Sequence, residues 1–518
     1  MNRIFVNEPE RDFSVAEVRA EMEKAIAMVE SELGKDYPLV IGGEKIFTEK
    51  KTTSINPCKK SQIIGYASNA SKELADKAIR VAYDTYEEWR LVPTRVKYDY
   101  IMRLIGVLQK RRYEIAAWMI LETGKNFGEA DGEICEAIDF FNAYAQGAVY
   151  LEEHPVPLVE SKVENNVSEY RPIGVGLVIP PWNFPFSIMA GMVISAVVTG
   201  NTVCIKPASD APITTCKFVE MCEEAGLPSG VINLIPGSGS EIGDFVVDHP
   251  LTRFINFTGS KAVGLRIAER AAKVNEGQKW IKRIIAEMGG KNAIVVDSSA
   301  DLRWAAKQAA AAAFTFQGQK CSACSRAIVL SDVYDEFLTY FKEEAESYKQ
   351  GAGKDNMDIC AVINKASFDK IASMIEQGKT EGRLITGGTY DDSEGFYVKP
   401  TIIADVDPRT SVIANQEIFG PVVAVMKVDT FEDAIDLANA TEYGLTGSVF
   451  SANRENIEYA KDNFFVGNLY INRKCTGAVV YNHPFGGYNM SGTTAKTGTV
   501  DYLYNFVQLK SISENVVY

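Results

Sequence analysis

The chain of 518 residues is 46% hydrophobic and 24% charged, which excludes a disordered or fibrous protein and leaves room for two or three domains. Its formal net charge is −14, with no run of like charge long enough for a nucleic-acid or membrane tail, so neither DNA, RNA nor a membrane is expected as a partner. Nine scattered cysteines are odd in number and form no disulfide framework, and only three histidines exist (His154, His249 and His483), none with a metal-ligand companion at the usual spacing. The segment from Met1 to Glu8 lacks the apolar core of a signal peptide, and Glu8, Glu10 and Asp12 make it too acidic for a mitochondrial presequence. The longest apolar stretch, Phe186 to Thr199, is too short to cross a bilayer. The expectation is a cytoplasmic protein without a metal.

In chain order, Ser14 followed by Glu17 reads as a capping box, after which Val18, Met22, Ile26, Val29 and Leu33 recur at helical spacing until Gly34. A second helix is predicted from near Ser71 and a third over roughly Val96–Ile120. A fourth is predicted after Gly132, with Ile134, Ala137, Ile138, Phe141 and Ala145 on one face. Residues 150–170, with Pro155, Pro157 and several charges, read as an arm or linker. From about residue 170 the period changes. Gly174–Pro180, Thr202–Pro207, Val231–Gly237 and Arg253–Ser260 are apolar runs of strand length, and helical stretches such as Ile213–Ala225 and Lys261–Lys273 alternate with them. Such alternation implies right-handed crossovers and a parallel sheet covered on both faces, an α/β architecture of nucleotide-binding type. A second α/β region follows Glu287, with strands at Ala293–Asp297 and Ala327–Leu330 around an alanine-rich helix, Ala300–Phe316. The C-terminal Val507–Tyr518 reads as a strand able to pair with the arm.

Two motifs carry chemistry. Phe257-Thr258-Gly259-Ser260, with Gly264, closes a strand and opens a helix, where glycines let the backbone approach a phosphate and free N–H groups supply positive potential. An ordinary strand-to-helix turn would look the same. Gly237-Ser238-Gly239 with Gly243 misses the dinucleotide fingerprint by one residue and reads as a turn. Cys321 and Cys324 form a C-x-x-C pair with no second pair for zinc, which leaves a redox dithiol, for which the small βαβ context is lacking, or two structural cysteines.

Pro181-Trp182-Asn183-Phe184-Pro185, Lys206-Pro207, Phe257-Thr258-Gly259-Ser260, Glu287-Met288-Gly289-Gly290, Gly318-Gln319-Lys320-Cys321 and Glu417-Ile418-Phe419-Gly420-Pro421 together resemble, in order and spacing, the aldehyde dehydrogenase superfamily. The resemblance runs from about residue 38 to the C-terminus. Finer features (Cys321-Ser322-Ala323-Cys324-Ser325-Arg326, Cys475-Thr476-Gly477-Ala478 and Pro484-Phe485-Gly486-Gly487) are similar to its 1-pyrroline-5-carboxylate dehydrogenase branch, which oxidises glutamate γ-semialdehyde. The resemblance implies a Rossmann-type cofactor domain (residues 1–150 and 172–286), a catalytic α/β domain (287–484), and an oligomerisation arm with a C-terminal strand (151–171 and 485–518). It also implies a homo-oligomer built from dimers.

It further implies roles for single residues. Cys321 is the expected nucleophile, Asn183 with the Cys321 amide the oxyanion donors, and Glu287 the general base for hydrolysis. For the cofactor, Lys206 and Ser209 face the adenine ribose, Gly259, Ser260 and Gly264 the pyrophosphate, and Glu417 the nicotinamide ribose, with Phe419, Pro181 and Trp182 alongside. NAD is expected; Ser209, where many NAD-specific relatives carry Glu, leaves NADP open. For an amino-acid aldehyde, Ser322 and the amides of Gly477 and Ala478 would meet the carboxylate and Glu136 the ammonium, while Phe184 and Phe485 sandwich the methylenes. Another semialdehyde (succinic or aminoadipic), a CoA-acylating relative and a non-catalytic structural protein are the competing readings. The presence of Cys321, Asn183, Glu287 and Glu417 disfavours the last two.

Overall fold

Short runs of β-branched residues, buried on both faces, build two seven-stranded sheets in the computed structural model, which describes residues 5–493 and 495–517. Met1–Ile4 and Tyr518, the ends of the N-terminal segment and the expected C-terminal strand, lie outside the described residues. The first sheet has the order Arg283–Glu287, Thr252–Thr258, Val175–Ile179, Thr202–Ile205, Ile232–Leu234, Leu39–Ile41 and Glu44–Ile46. Its first five strands are parallel, and the last two close one edge as an antiparallel hairpin. Val178, Val203 and Phe254 face helices Phe127–Glu153, Ser187–Val198 and Pro212–Glu224, whereas Leu177, Ile255 and Phe257 face helices Lys72–Trp89 and Lys261–Ala272. Chain order reverses between Val175–Ile179 and Thr252–Thr258. At such a switch point the loops leaving the C-terminal strand ends diverge and open a crevice. Here those loops begin at Pro180 and Gly259.

The second sheet runs Arg383–Thr386, Thr401–Ala404, Val422–Val428, Cys324–Leu330, Asn292–Val296, Thr446–Phe450 and Asn468–Ile471, all parallel except its first edge strand. Alternation divides each strand between two cores. Ile294, Val296, Ala327 and Val329 pack on the alanine-rich helix Leu302–Phe314, while Ala293, Val295 and Ile328 pack on helices Lys365–Glu381 and Phe431–Asn439. Glu164–Pro172 and Val507–Asn515 pair antiparallel along nine residues, as expected of the arm and the C-terminal strand. Among the described residues, no helix is long and apolar enough to cross a membrane.

Three helix boundaries differ from expectation. The first helix is Ala16–Glu30 with Val15 at its N-cap; the Ser14 amide and hydroxyl both turn back to Asp12 Oδ1, so no Ser14–Glu17 capping box forms. The predicted third helix is two, Thr94–Lys110 and Arg112–Thr123, broken at Arg111 (φ −97°, ψ 13°). The fourth starts before Gly132, at Phe127, on a capping box made by Asn126 and Glu129.

Arg112 opens the second of these two helices. Its buried guanidinium meets Asp131 with two bonds (2.6 and 2.8 Å), Glu8 (2.9 Å) and the Pro9 carbonyl (3.0 Å), clamping the N-terminal segment onto the long helix. Arg112→Met would leave the buried Asp131 carboxylate without its counter-charge. It should cost about 3–5 kcal/mol, read as a lower urea midpoint.

Candidate active site

The chain passes from the last residue of one sheet, Glu287, to the first of an adjacent strand in the other, Asn292, through Met288, Gly289, Gly290 and Lys291. This crossing lies against the crevice. The Asn292 amide donates to the carbonyls of Cys321 and Ala323 (both 2.8 Å) while its oxygen accepts from Thr446 N (3.1 Å), so it holds the backbone on both sides of the thiol. Upstream, helix Leu302–Phe314 gives way to three left-handed residues, Phe316, Gln317 and Gly318 (φ 51°, 56° and 65°). A side chain at Gly318 would overlap the Gly420 carbonyl, so the turn admits only glycine there. The turn delivers Cys321 to the start of strand Cys324–Leu330.

Among the described residues, Cys321 alone of nine free cysteines is not buried. Its thiol is nevertheless pushed up to about 12, by desolvation first and then by the carboxylates of Glu287 and Glu417, against which the amides of Ser322 and Cys321 pull the other way. The resting side chain is therefore a thiol. Asn183 is buried and donates one amide hydrogen to Gln319 O (2.9 Å), leaving the second for a ligand. Its own carbonyl accepts from the ammonium of Lys125, a fully buried side chain ion-paired with Glu133 (3.0 Å) and lying over the rings of Phe184 (4.7 Å) and Phe316 (3.5 Å). Glu133 in turn accepts from the Phe186 and Ser187 amides (3.2 and 3.1 Å), at the head of helix Ser187–Val198.

Glu287 is buried; one oxygen accepts weakly from Gly487 N (3.4 Å), and the other has no hydrogen-bond partner among the described residues. Desolvation holds its carboxyl well above the usual range, opposed by the nearby Lys496. Glu417 accepts from Gly290 N (2.9 Å) and is also raised by burial. Trp182 and Phe419 meet edge to face at 5.5 Å beside Pro181.

Lys206 is buried between the carbonyls of Pro207 (3.2 Å) and Gly237 (3.3 Å), with no carboxylate pairing it among the described residues, and burial brings its ammonium down to about 8. Gly237, read from sequence as a mere turn, thus supplies one of its acceptors. Ser209 is exposed. The Gly259 amide bonds Glu287 O (3.1 Å), Ser260 stands at the head of helix Lys261–Ala272 without a side-chain cap, and Gly264 packs so closely on Met288 that a Cβ would lie 2.5 Å from its sulfur. An unpaired buried ammonium and an uncapped helix head at the switch point fit a dinucleotide.

Glu136 lies beside Ser187 and is raised to about 7 by burial, with Glu133 and Asp139 adding to the shift. The Ser322 hydroxyl is 2.7 Å from that of Thr476. In the Thr476–Ala478 turn, where Gly477 has φ +79°, neither the Gly477 nor the Ala478 amide has an acceptor among the described residues. Phe485 is held by backbone bonds to Thr497 (3.1 and 2.8 Å). Sequence reasoning missed Lys125, Glu133, Asn292 and Lys496.

The Aldehyde dehydrogenase family matches residues 46–512, and the chain belongs to that family. Within it, the chain is similar to a 1-pyrroline-5-carboxylate dehydrogenase of a Geobacillus species, 52% identical over 511 residues (98% of this chain, 99% of the relative). Its likeness to that of Bacillus mycoides is 50% over 513 residues (99% of each). Among solved structures, 1-pyrroline-5-carboxylate dehydrogenase from Thermus with bound NAD has a TM-score of 0.98 at 43% identity, covering 99% of this chain and 100% of that one. An indole-3-acetaldehyde dehydrogenase complexed with NAD+ has a TM-score of 0.89 at 27% identity, covering 95% and 99%. The expected α/β fold and family are both borne out.

The raised thiol makes a specific prediction. Cys321 in the cofactor-free enzyme should react with iodoacetamide more slowly at pH 7 than free cysteine does, and its rate should keep climbing with pH to about pH 11. Mass spectrometry of the labelled peptide measures this; a rate that levels off near pH 8 would contradict the assignment.

Proposed function

We propose that the protein is an NAD-dependent aldehyde dehydrogenase that oxidises L-glutamate γ-semialdehyde, the open form of 1-pyrroline-5-carboxylate, to L-glutamate, as in proline degradation. The observation that carries the chemistry is the conjunction at the crevice of an accessible thiol, an amide hydrogen of Asn183 left open, and a carboxyl of Glu287 with a free oxygen. Full-length similarity to enzymes of that name supports the substrate.

Cys321 Sγ gives its proton to water and attacks the aldehyde carbon, the C=O π electrons move onto oxygen, and the oxygen that becomes anionic accepts from the Cys321 amide and the second hydrogen of Asn183. Loss of one such donor costs about 2.7–4 kcal/mol in comparable sites. NAD, when bound, supplies the hydride acceptor that lets the thiohemiacetal become a thioester. Glu287 then takes a proton from water as that water attacks the thioester, releasing the carboxylate and the thiol. Its desolvated carboxyl, held above the usual carboxylate range and with an uncommitted oxygen, is suited to taking up a proton. Lys206 and Ser209 would hold the adenine ribose, Gly259, Ser260 and Gly264 the pyrophosphate, and Glu417 the nicotinamide ribose, with Pro181, Trp182 and Phe419 alongside. Ser209 sets no carboxylate against a 2′-phosphate, so NADP is the alternative cofactor.

At the substrate's other end, Ser322, Gly477 and Ala478 would take the carboxylate, Glu136 the ammonium, and Phe184 and Phe485 the methylenes. The reading assigns the residues up to 150 and 172–286 to cofactor binding, 287–484 to catalysis, and 151–171 with 485–518 to assembly. On one face of the arm, Val167 and Ile512 within the paired strands and Val163 and Val516 just beyond them are exposed, a surface suited to a homodimer. Free thiols throughout suit the cytoplasm.

Glu287→Gln should slow hydrolysis of the thioester more than its formation, giving a burst of NADH near one equivalent per site in rapid mixing, then slow turnover. No burst, with the first turnover itself crippled, would move Glu287 to activation of the thiol. For the substrate, kcat/KM for glutamate γ-semialdehyde should exceed that for butanal by a hundredfold or more, since two or three bonds to a charged group are worth about 1.5–3 kcal/mol each. Equality would refute the substrate assignment. Glu136 adds a pH signature. Its carboxyl near 7 gains charge as pH rises, so the wild type's advantage in KM over Glu136→Gln should grow roughly tenfold from pH 6 to pH 8. Comparing the two proteins cancels the pH dependence of the substrate's own ring closure.

A further inference from the structure

The amides of Gly477 and Ala478 belong to peptide units whose carbonyls are those of Thr476 and Gly477. Both carbonyls accept from a single guanidinium nitrogen: Arg473 Nη2 lies 3.1 Å from Thr476 O and 2.9 Å from Gly477 O. The same side chain stacks on Tyr470, 4.4 Å from the ring centre, and reaches His483 (3.1 Å) with its other terminal nitrogen. Neither Arg473 nor its neighbour Lys474 forms an ion pair with a carboxylate among the described residues, although the chain carries 14 more acidic than basic residues. The Lys474 ammonium lies behind the same turn, 3.7 Å from where a Cβ on Gly477 would stand.

A cation on a peptide oxygen draws electron density through the C–N bond, so the N–H of that unit becomes a stronger donor, and bonds in such a chain reinforce one another. The two units here present oxygen to the guanidinium and N–H to the open side of the turn. We propose that Arg473 is the positioning residue of the carboxylate subsite: it fixes the Thr476–Ala478 turn and transmits its positive charge through two peptide dipoles to an anion it does not itself touch. This rests on the reading of Gly477 and Ala478 as the carboxylate anchor given above. It explains how a cleft lined by Glu136, Glu287 and Glu417 accepts the carboxylate of its substrate on peptide N–H groups. A direct salt bridge would require a desolvated cation in the pocket whenever the substrate is absent, whereas peptide N–H groups impose a much smaller penalty.

The test compares Arg473→Gln, Arg473→Lys and wild type as full-length enzymes on glutamate γ-semialdehyde and on propanal, with glutarate as a competing dicarboxylate. For Arg473→Gln, KM for the semialdehyde should rise about thirtyfold and inhibition by glutarate should weaken by a similar factor. Its kcat, and kcat/KM for propanal, should stay within about twofold of wild type. Arg473→Lys, which keeps the charge but offers no planar fork, should fall between. A residue that served stability alone would lower both substrates together and would not be rescued by charge, so parallel loss overturns the proposal. So does unchanged glutarate inhibition in Arg473→Gln. If Arg473→Gln does not fold, Arg473→Lys decides: an intermediate, semialdehyde-specific rise in KM supports the proposal, and a wild-type KM refutes it. A wild type that neither prefers the semialdehyde to propanal nor binds glutarate fails the substrate reading itself and the proposal with it. Failure of Arg473 alone leaves the wild-type preference intact.

Discussion

Met288, Gly289, Gly290 and Lys291 are all that separates the two sheets along the chain at Glu287 and Asn292, and the site is built around how little space this crossing occupies. A side chain at Gly289 would overlap the Glu417 carboxylate, and one at Gly290 would come within 2.7 Å of the Cys321 carbonyl. The backbone itself therefore fills the gap between the cysteine loop on one side and Glu417 on the other, and Gly290 N bonds Glu417 directly. Because the crossing is so short, the C-terminal edge of one sheet must abut the N-terminal edge of its neighbour. Glu287, the last residue of the first, and Cys321, just before a strand of the second, can then share one crevice.

Burial governs the electrostatics that follow. Cys321, Glu287, Glu417 and Glu136 are all displaced toward their neutral forms, and Lys206, Lys291 and Lys320 are displaced the same way, to about 8, 7 and 8. The carboxyls and the thiol of such a site hold their protons until a ligand changes the local charge. Reactivity is then coupled to occupancy, which limits side reactions of a soft nucleophile in the free enzyme. Lys125 is the exception in kind. It is also depressed by burial, yet it is paired with Glu133 and seated on two aromatic faces, and what it does there is fix the Asn183 backbone.

The alternation of strands and helices, the two sheets and the pairing of arm with C-terminal strand were legible in the sequence, because each rests on local period and on a few glycine and proline positions. Helix ends were less so. Ser14 and Glu17 have the spacing of a capping box, but Asp12 competes for Ser14 at shorter range, and a helical stripe continuous from Val96 to Ile120 conceals the break at Arg111, next to which Arg112 meets Asp131 and Glu8 from elsewhere in the chain. Of the site, Cys321, Glu287 and Glu417 stand out within motifs, and the structure sets both carboxyls near the thiol. Asn292 and Lys125 were not readable, since each acts on the backbone of another segment, and Arg473, which acts on the turn just after it, leaves no periodic or compositional trace either.

Acidity alone would have chosen the wrong cysteine. Cys58 has the lowest thiol among those displaced, at about 7, through Cys360, Tyr397 and the amides of Gly353 and Ala361, whereas Cys321 stands near 12. Yet Cys58 is buried under the loop that ends at Phe396, away from the crevice, with its carbonyl occupied by Tyr397. A nucleophile must reach its electrophile and have donors waiting for the charge it creates; a stabilised thiolate sealed in the core has neither. Cys321 meets both conditions through exposure, its own amide and Asn183. On the proposed mechanism, its raised pKa keeps the thiol quiet until an aldehyde is bound.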